Sequence, residues 1–131
     1  MTQSSSPSQP SKPNPEKVAY TVIVGSHHVS IMAVSGHHSA GVINIDAHPT
    51  IPNHWWLARL KVTDRFQNQG IGSELLKMAL EELEKKVGVV GLIVAPGGYG
   101  SDEEELKKWY GARGFKKHPK GYLLWQPRSA E

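Results

Sequence analysis

The sequence contains no cysteine, no long apolar run and little excess charge, and each absence excludes something. With no cysteine among 131 residues, the chain cannot form a disulfide scaffold, a thiolate zinc site, an iron–sulfur cluster or a thiol nucleophile. No window reaches the ~18 continuous apolar residues of a membrane span, and the polar N-terminus lacks the apolar stretch of a secretory signal. A net charge of +3 identifies no partner. We therefore expect a cytoplasmic protein without a membrane partner.

The sequence predicts a disordered N-terminal tail followed by a folded domain. Residues 1–17 hold five serines and four prolines and almost nothing apolar, so ordering them would gain little burial, and a disordered tail is expected. Residues 18–131 are enough for one modest core. We therefore predict a single domain behind a tail.

The first half of that domain has the periodicity of strands. Apolar and polar residues alternate over 18–25, 29–35, 40–46 and 54–63, which predicts an antiparallel meander. The alternation breaks near Ala58, as a β-bulge would cause. Adjacent tryptophans in the fourth strand, Trp55 and Trp56, are expected to place one ring inside the sheet and one outside.

The second half changes to the period of a helix. Apolar residues recur every three or four positions from Gly72 to Val87, which predicts an amphipathic helix with Gly88 as its C-terminal stop. An almost wholly apolar run over 89–95 follows. Such a run is expected of a buried strand with neighbours on both sides.

A second helix and a hairpin complete the predicted elements. Ser101 and Glu104 form a capping box for a helix that ends at Gly114, and the residues from 115 to 126 predict a terminal hairpin. The last helix turn and hairpin also carry basic residues and no acidic one: Arg113, Lys116, Lys117, Lys120 and Arg128. This strip could meet nucleic acid or a phosphorylated cofactor, or form a solvated edge.

The most informative segment lies between the fourth strand and the first helix and runs VTDRFQNQGIGS from Val62 to Ser73. Gly70 and Gly72 leave backbone N–H groups bare at a helix start, where the helix dipole favours an anion such as a pyrophosphate. Gln67 can add a side-chain hydrogen bond, as can the serine that ends the segment. Two glycines at this spacing are also what a tight strand-to-helix turn requires.

Two better-known phosphate motifs do not fit this segment. A P-loop requires lysine and then serine or threonine after its last glycine, whereas Ser73 and Glu74 follow here, so nucleotide hydrolysis is disfavoured. A dinucleotide-binding turn requires a third glycine, and that position is Leu75.

Two motifs taken together resemble those of the GNAT family of N-acetyltransferases. Gln67-x-x-Gly70-x-Gly72 is similar to the family's acetyl-CoA motif, and a helix with Tyr110 before Gly114-Phe115 is similar to its second signature. The resemblance covers roughly residues 57–125. It implies an α/β (α+β) fold with a mixed, mostly antiparallel sheet, two main helices and splayed central strands, in the order β-β-β-β-α-β-α-β-β.

The resemblance also implies acetyl-CoA as co-substrate and assigns residues to it. The pantetheine arm would pair with the backbone of Leu60, Lys61 and Val62. The pyrophosphate would lie on the turn formed by Gln67, Asn68, Gln69, Gly70, Ile71, Gly72 and Ser73. The acceptor amine would attack the thioester directly, which agrees with the absence of a thiol nucleophile.

Tyr110 matches the family's general acid. A phenol of pKa ~10 can protonate a departing thiolate at neutral pH. The alternative is a core aromatic on the apolar face of the second helix. For a general base, Asp46, His48 and His54 lie near the splayed strand, although each also fits a surface or loop position and a water relay needs none of them.

The histidine pairs do not predict a metal site. His27-His28 and His37-His38 each offer one ligand per face of a strand, and no cysteine or carboxylate stands nearby at ligand spacing. We expect solvated loop histidines and no metal.

The chain departs from the family in two places. One or two helices are common between the family's first two strands, but only residues 25–28 are available here. An asparagine often placed after the later strand is replaced by the loop 97–102, in which Ser101 or Asp102 could contact the cofactor instead.

An open acceptor face follows from the missing helices. It suits a bulky acceptor such as a protein lysine or an amine carried by nucleic acid, and compact phage-encoded acetyltransferases share this outline. A non-catalytic protein that grips a protein or nucleic acid through the open face or the basic strip stays open as the alternative, as does a homodimer.

Overall fold

The computed structural model describes residues 17–95 and 103–128. These residues form seven strands: β1 Val18–Val24, β2 His28–Ser35, β3 His38–Ala47, β4 His54–Val62, β5 Gly91–Val94, β6 Lys116–Lys117 and β7 Leu123–Trp125. The helices are α1 Ile71–Lys85 and α2 Glu103–Gly111, with a short 3-10 turn at Asp64–Phe66. The predicted order of elements is confirmed. The predicted tail, the capping Ser101 and the candidate cofactor contact Asp102 lie outside the described residues.

One mixed sheet contains all seven strands, in the order β1-β2-β3-β4-β5-β7-β6. Every neighbouring pair is antiparallel except β4 and β5, which are parallel and are connected through α1. Residues 25–27 join β1 to β2. The expectation that no helix stands between the first two strands is therefore confirmed.

The core lies between α1 and one face of the sheet. Alternate residues of β2 and β3 point to this face and are buried together with the apolar stripe of α1: Val29, Ile31, Ile43, Ile45, Leu75, Leu76, Ala79 and Leu83. Gly41 on β3 allows the helix to approach closely, because a Cβ there would lie 3.2 Å from Leu75 Cδ1. The opposite face of β2, β3 and β4 is left more open, and Met32 is among its exposed residues.

The adjacent tryptophans divide between these two faces as predicted. Trp55 is buried in the core, whereas Trp56 is exposed on the other face. Side chains alternate along a strand, so a register that buries the first ring exposes the second.

The predicted C-terminal boundary of the first helix was wrong. α1 ends at Lys85, Lys86 is extended (φ −84°, ψ 141°) and Val87 is fully exposed. The extended backbone lets the Lys86 ammonium donate to the carbonyl of Gly25 at 2.7 Å and lie over the Trp55 ring at 5.1 Å. β5 is also shorter than predicted and begins at Gly91.

Within residues 17–95 and 103–128, no helix is long and apolar enough to cross a bilayer. The same residues contain no cluster of three or more side chains suited to holding a metal ion.

Candidate functional site

The two central strands part soon after they meet. β4 pairs with β5 only through His54, Trp55 and Trp56, whereas it stays paired with β3 as far as Val62. Among the described residues, the β5 side of Leu57–Val62 therefore has no strand partner. Backbone N–H and C=O groups on this side can bind an extended ligand as a further strand.

A bulge sits where the strands part. Asn44 on β3 is opposite Arg59, but the next residue, Ile45, is opposite Leu57, so Ala58 is the additional residue. The predicted irregularity near Ala58 is confirmed. A bulge bends its strand and increases the local twist, which turns the second half of β4 away from β5.

The turn after β4 ends in a helix start without a side-chain cap. The N-cap residue of α1 is Gly70, whose backbone lies in the left-handed region (φ 81°). Glycine has no side chain, so no side-chain capping hydrogen bond is made to the helix start. The first N–H groups of a helix have no carbonyl one turn earlier to bind. Together with the helix dipole, these donors favour an anion.

Buried and braced side chains hold this turn in place. Phe66 is almost fully buried below it, and the Gln67 amide Nε2 donates to the carbonyl of Val62 at 3.1 Å and to Asp64 Oδ1 at 3.3 Å. Gln67, predicted to contact the ligand through its side chain, thus uses its amide N–H groups to fasten the turn. Gln69 Oε1 is buried without a partner in the described part of the chain.

A cleft of about 750 Å³ joins the open edge, the turn and α2. Nine residues predicted for the site line it: Leu60, Val62, Gln67, Asn68, Gly70, Ile71, Gly72, Ser73 and Tyr110. Lys61 and Gln69 are not among the lining residues. Four further residues, which were not predicted for the site from the sequence, also line the cleft: Phe66, Glu105, Leu106 and Trp109.

Tyr110 is both a core residue and a wall of the cleft. Its side chain is 6% exposed and packs edge-on against Trp109 and Phe115, with ring centroids 5.0 and 5.3 Å away. Tyr110 thus occupies the core position that the apolar face of the second helix predicts, and it also borders the cleft. The first turn of α2 is braced by Lys107, whose pKa is raised by its hydrogen bond to Glu103 and by the charge of Glu104.

Arg113 links α2 to the start of α1. Its guanidinium donates to Ser73 Oγ at 2.6 Å and to the carbonyl of Trp109 at 2.9 Å, and it stacks over the Trp109 ring at 3.9 Å. This arrangement adds a permanent positive charge beside the bare N–H groups. From the sequence, Arg113 belongs to the basic strip; its spacing of four residues from Trp109 indicates the contact between these two side chains, but no local pattern indicates the hydrogen bond to Ser73.

The acidic side chains near the turn differ in position. Asp64 Oδ1 accepts a hydrogen bond from Gln67 within the turn, and Glu105 lines the cleft. Glu74, in the first turn of α1, does not line the cleft. The pKa of Tyr20 on β1 is raised, first by the burial of Tyr20 and second by the charge of Glu74. The remaining basic residues of the strip, Lys116, Lys117, Lys120 and Arg128, are solvent-exposed.

The three candidate bases are in different surroundings. His48 Nδ1 accepts hydrogen bonds from the backbone N–H groups of Thr50 and Ile51, and His54 Nδ1 binds the carbonyl of Pro52 at 2.9 Å. Both therefore organise the loop between β3 and β4.

Asp46 instead pairs with His28 on the open face of the sheet. The carboxylate accepts a hydrogen bond of 2.5 Å from His28 Nδ1. Asp46 also lies opposite Trp56, the last residue of β4 to pair with β5. This pair therefore stands near the point at which the strands part.

Comparisons with known proteins give the family. The model of the acetyltransferase (GNAT) family matches residues 3–118, so the chain belongs to the GNAT family of acetyltransferases. Among curated protein sequences, none is significantly similar to this chain.

Solved structures show the same fold at low sequence identity. The PaiA N-acetyltransferase of Thermoplasma acidophilum, in complex with coenzyme A, is 19% identical with a TM-score of 0.60, over 76% of this chain and 61% of that one. The ribosomal-protein alanine N-acetyltransferase of Escherichia coli is 18% identical with a TM-score of 0.59, over 79% and 71%. A mutant AtaT toxin bound to the C-terminus of the antitoxin AtaR is 13% identical with a TM-score of 0.67, over 87% and 96%.

Proposed function

We propose that the protein transfers an acetyl group from acetyl-CoA to a primary amine, by direct attack within a ternary complex. One observation carries this proposal: the edge of β4 that has no strand partner in the described residues, the start of α1 and Tyr110 all border the same cleft of about 750 Å³. An extended amide chain, a pyrophosphate and a thioester are the three parts of acetyl-CoA that such a cleft suits.

The binding mode follows from the chemistry of each wall. Peptide groups of Leu60, Lys61 and Val62 would pair with the amides of the pantetheine arm, as in strand addition. The turn from Gln67 to Ser73 would hold the pyrophosphate through N–H groups, with Arg113 adding charge. The coenzyme A complex of the PaiA structure supports this use of the fold.

Transfer requires one bond to form and one to break. The neutral amine nitrogen attacks the thioester carbonyl carbon, the C–N bond forms, and collapse of the tetrahedral intermediate breaks the C–S bond. Tyr110 would give its phenolic proton to the sulfur, and the amine's surplus proton would pass to water. A backbone N–H at the bulged strand would stabilise the negative oxygen of the intermediate.

The acceptor would approach from the open face of the sheet. α1 covers the other face, whereas Trp56, Asp46 and His28 are partly exposed in one cross-strand row at the mouth of the opening. A carboxylate beside an exposed aromatic ring attracts an ammonium group. A face that no helix covers in the described residues admits a bulky acceptor, such as a lysine or a terminal amine of a protein.

Mass spectrometry of a cell lysate incubated with the protein and isotope-labelled acetyl-CoA tests this function. We expect labelled acetyl groups on amines and release of free coenzyme A, both absent from a reaction without the protein. Titration calorimetry on the same preparation measures cofactor binding separately. Binding without labelled product would favour the non-catalytic alternative, and no binding at millimolar acetyl-CoA would contradict the whole proposal.

A further inference from the structure

The outer edge of β1 is a second place at which strand backbone has no strand partner in the described part of the chain. β1 pairs along one side with β2, from Val18 opposite Ser35 to Val24 opposite Val29, and it is the end strand of the sheet. The N–H of Gly25 donates to the carbonyl of His28. Because peptide groups alternate along an antiparallel strand, Tyr20, Val22 and Val24 turn theirs outward.

This edge exposes large apolar side chains on both faces of the sheet. Ile23 is 61% exposed and Val24 is 47% exposed, with Val22 beside them on the face of Val24. Met32 on β2 extends the apolar surface on the face of Ile23. Four of the six large hydrophobic residues that are exposed in the described chain thus lie together here, whereas isolated exposed apolar residues would need no explanation.

The opposite edge of the same sheet is built differently. β6 consists of two exposed lysines, Lys116 and Lys117, and Pro119 follows soon after. Short length, lysine and proline are the usual means by which proteins prevent an edge from pairing with another chain. β1 has seven residues, no charge, no proline and an uninterrupted register, so it has none of these protections.

We propose that two copies of the protein pair through β1, antiparallel about a two-fold axis, and continue the sheet from one copy into the next. A two-fold axis at Val22 places Val24 of each copy opposite Tyr20 of the other, and Ile23 opposite Thr21. The outward-facing N–H and C=O groups of the two strands then pair with each other, Val22 meets Val22 on one face, and Ile23 meets Thr21 on the other.

A second copy fits this edge because the edge complements itself. Val18–Gly25 contains no charged residue, so no like charges meet along the joint, and the antiparallel direction keeps the two copies of Lys17 at opposite ends. Two seven-residue strands bury less than the ~800 Å² per partner of a standard interface. The dimer should therefore dissociate in the micromolar range, and it leaves the opening beside β4 free.

Sedimentation velocity of the full chain over a range from micromolar to several hundred micromolar tests the proposal. The mass should rise from 14.4 kDa towards twice that value with concentration. Val22→Pro removes an outward N–H and no hydrogen bond to β2, and Ile23→Lys places a charge on an exposed position; both should abolish the rise. Val87→Lys, a charge at a fully exposed position far from β1, should leave it unchanged.

Two outcomes would overturn the dimer. One is that the unaltered chain is a monomer at every concentration. That result would make a strand of another protein, rather than a second copy, the partner of this edge. The other is a dimer that persists in both variants. Circular dichroism checks that the variants fold; if Val22→Pro does not fold, Ile23→Lys decides alone. Acetyl-CoA binding should be the same in monomer and dimer, so failure of this proposal is distinguishable from failure of the proposed function.

Discussion

The inner edge of β4 beyond Trp56 and the outer edge of β1 both lack a strand partner among the described residues, and the surroundings of these two edges differ. The inner edge of β4 after Trp56 is bordered by a bulge, an uncapped helix start, Arg113 and a buried tyrosine. The outer edge of β1 is bordered by Val22, Ile23 and other apolar side chains. Both edges can accept a further strand, but only the inner one adjoins a helix start without a side-chain cap and a cleft lined by Tyr110. The neighbours of an open edge, rather than the edge itself, indicate whether it suits a cofactor or another chain.

The largest effect that would sharpen this contrast is expected from Tyr110→Phe. Removing the phenolic proton should lower kcat for acetyl transfer roughly 100-fold, the lower end of what a general acid contributes, and leave the Kd for acetyl-CoA nearly unchanged. Steady-state kinetics and calorimetry measure the two values. Tyr122→Phe is the matched control, since Tyr122 stacks on His118 away from the cleft. An unchanged kcat would remove Tyr110 from the chemistry.

The next largest effect concerns the helix start. Gly72→Asp should raise the Kd for acetyl-CoA at least tenfold, about 1.4 kcal/mol, because the new carboxylate repels the pyrophosphate. A Cβ at this position meets its nearest neighbour, Val62 Cγ2, at 3.4 Å, so the fold should tolerate the change. Gly111→Asp is the control, as a Cβ there has open space. Equal affinity in the two variants would contradict the predicted phosphate site.

A smaller effect is expected from Arg113→Met. The variant loses the charge beside Ser73 but keeps apolar bulk over Trp109, and charge-assisted hydrogen bonds contribute about 1.5 kcal/mol or more each. We expect weaker acetyl-CoA binding and a smaller dependence of that binding on salt concentration. Lys117→Met, on the exposed edge strand β6, should change neither. If both variants bind alike, the positive charge at this end of the cleft has no part in binding.

The smallest effect is expected at the His28–Asp46 pair, which lies between the two edges. Asp46→Asn should change the free energy of unfolding by about 1 kcal/mol or less, because both side chains of the His28–Asp46 pair are partly exposed. Urea denaturation measures this value. If the pair faces the acceptor, KM for the amine rises while kcat stays near its original value, and Ser30→Ala in the neighbouring row leaves both unchanged. A variant with unaltered KM would place the acceptor elsewhere.

Much of the fold was accessible from the sequence because its signals are local. Alternation and three-to-four spacing gave the order of elements, and the interrupted period at Ala58 gave the bulge. The end of α1 was not accessible from the sequence, because the contact of Lys86 with Gly25, which is distant in sequence, helps hold the extended backbone. The helical pattern alone continues to Val87.

For the site, the turn glycines carried most of the prediction, since few other residues leave N–H groups bare at a helix start. Arg113 was assigned to a basic strip, because its contact with Ser73 joins residues forty positions apart. The pairing of His28 with Asp46 likewise depends on the register of two strands. Periodicity within one strand does not specify which residue of the next stands opposite.

Hydrogen exchange, followed by mass spectrometry with and without acetyl-CoA, tests the central claim most directly because it reads both edges in one experiment. We expect slower exchange of the amides in Leu57–Val62 and in the turn up to Ser73, and unchanged exchange in Val18–Val24 at a fixed protein concentration. Protection that is absent from β4, or that appears at β1 instead, would contradict the assignment of the inner edge to the cofactor.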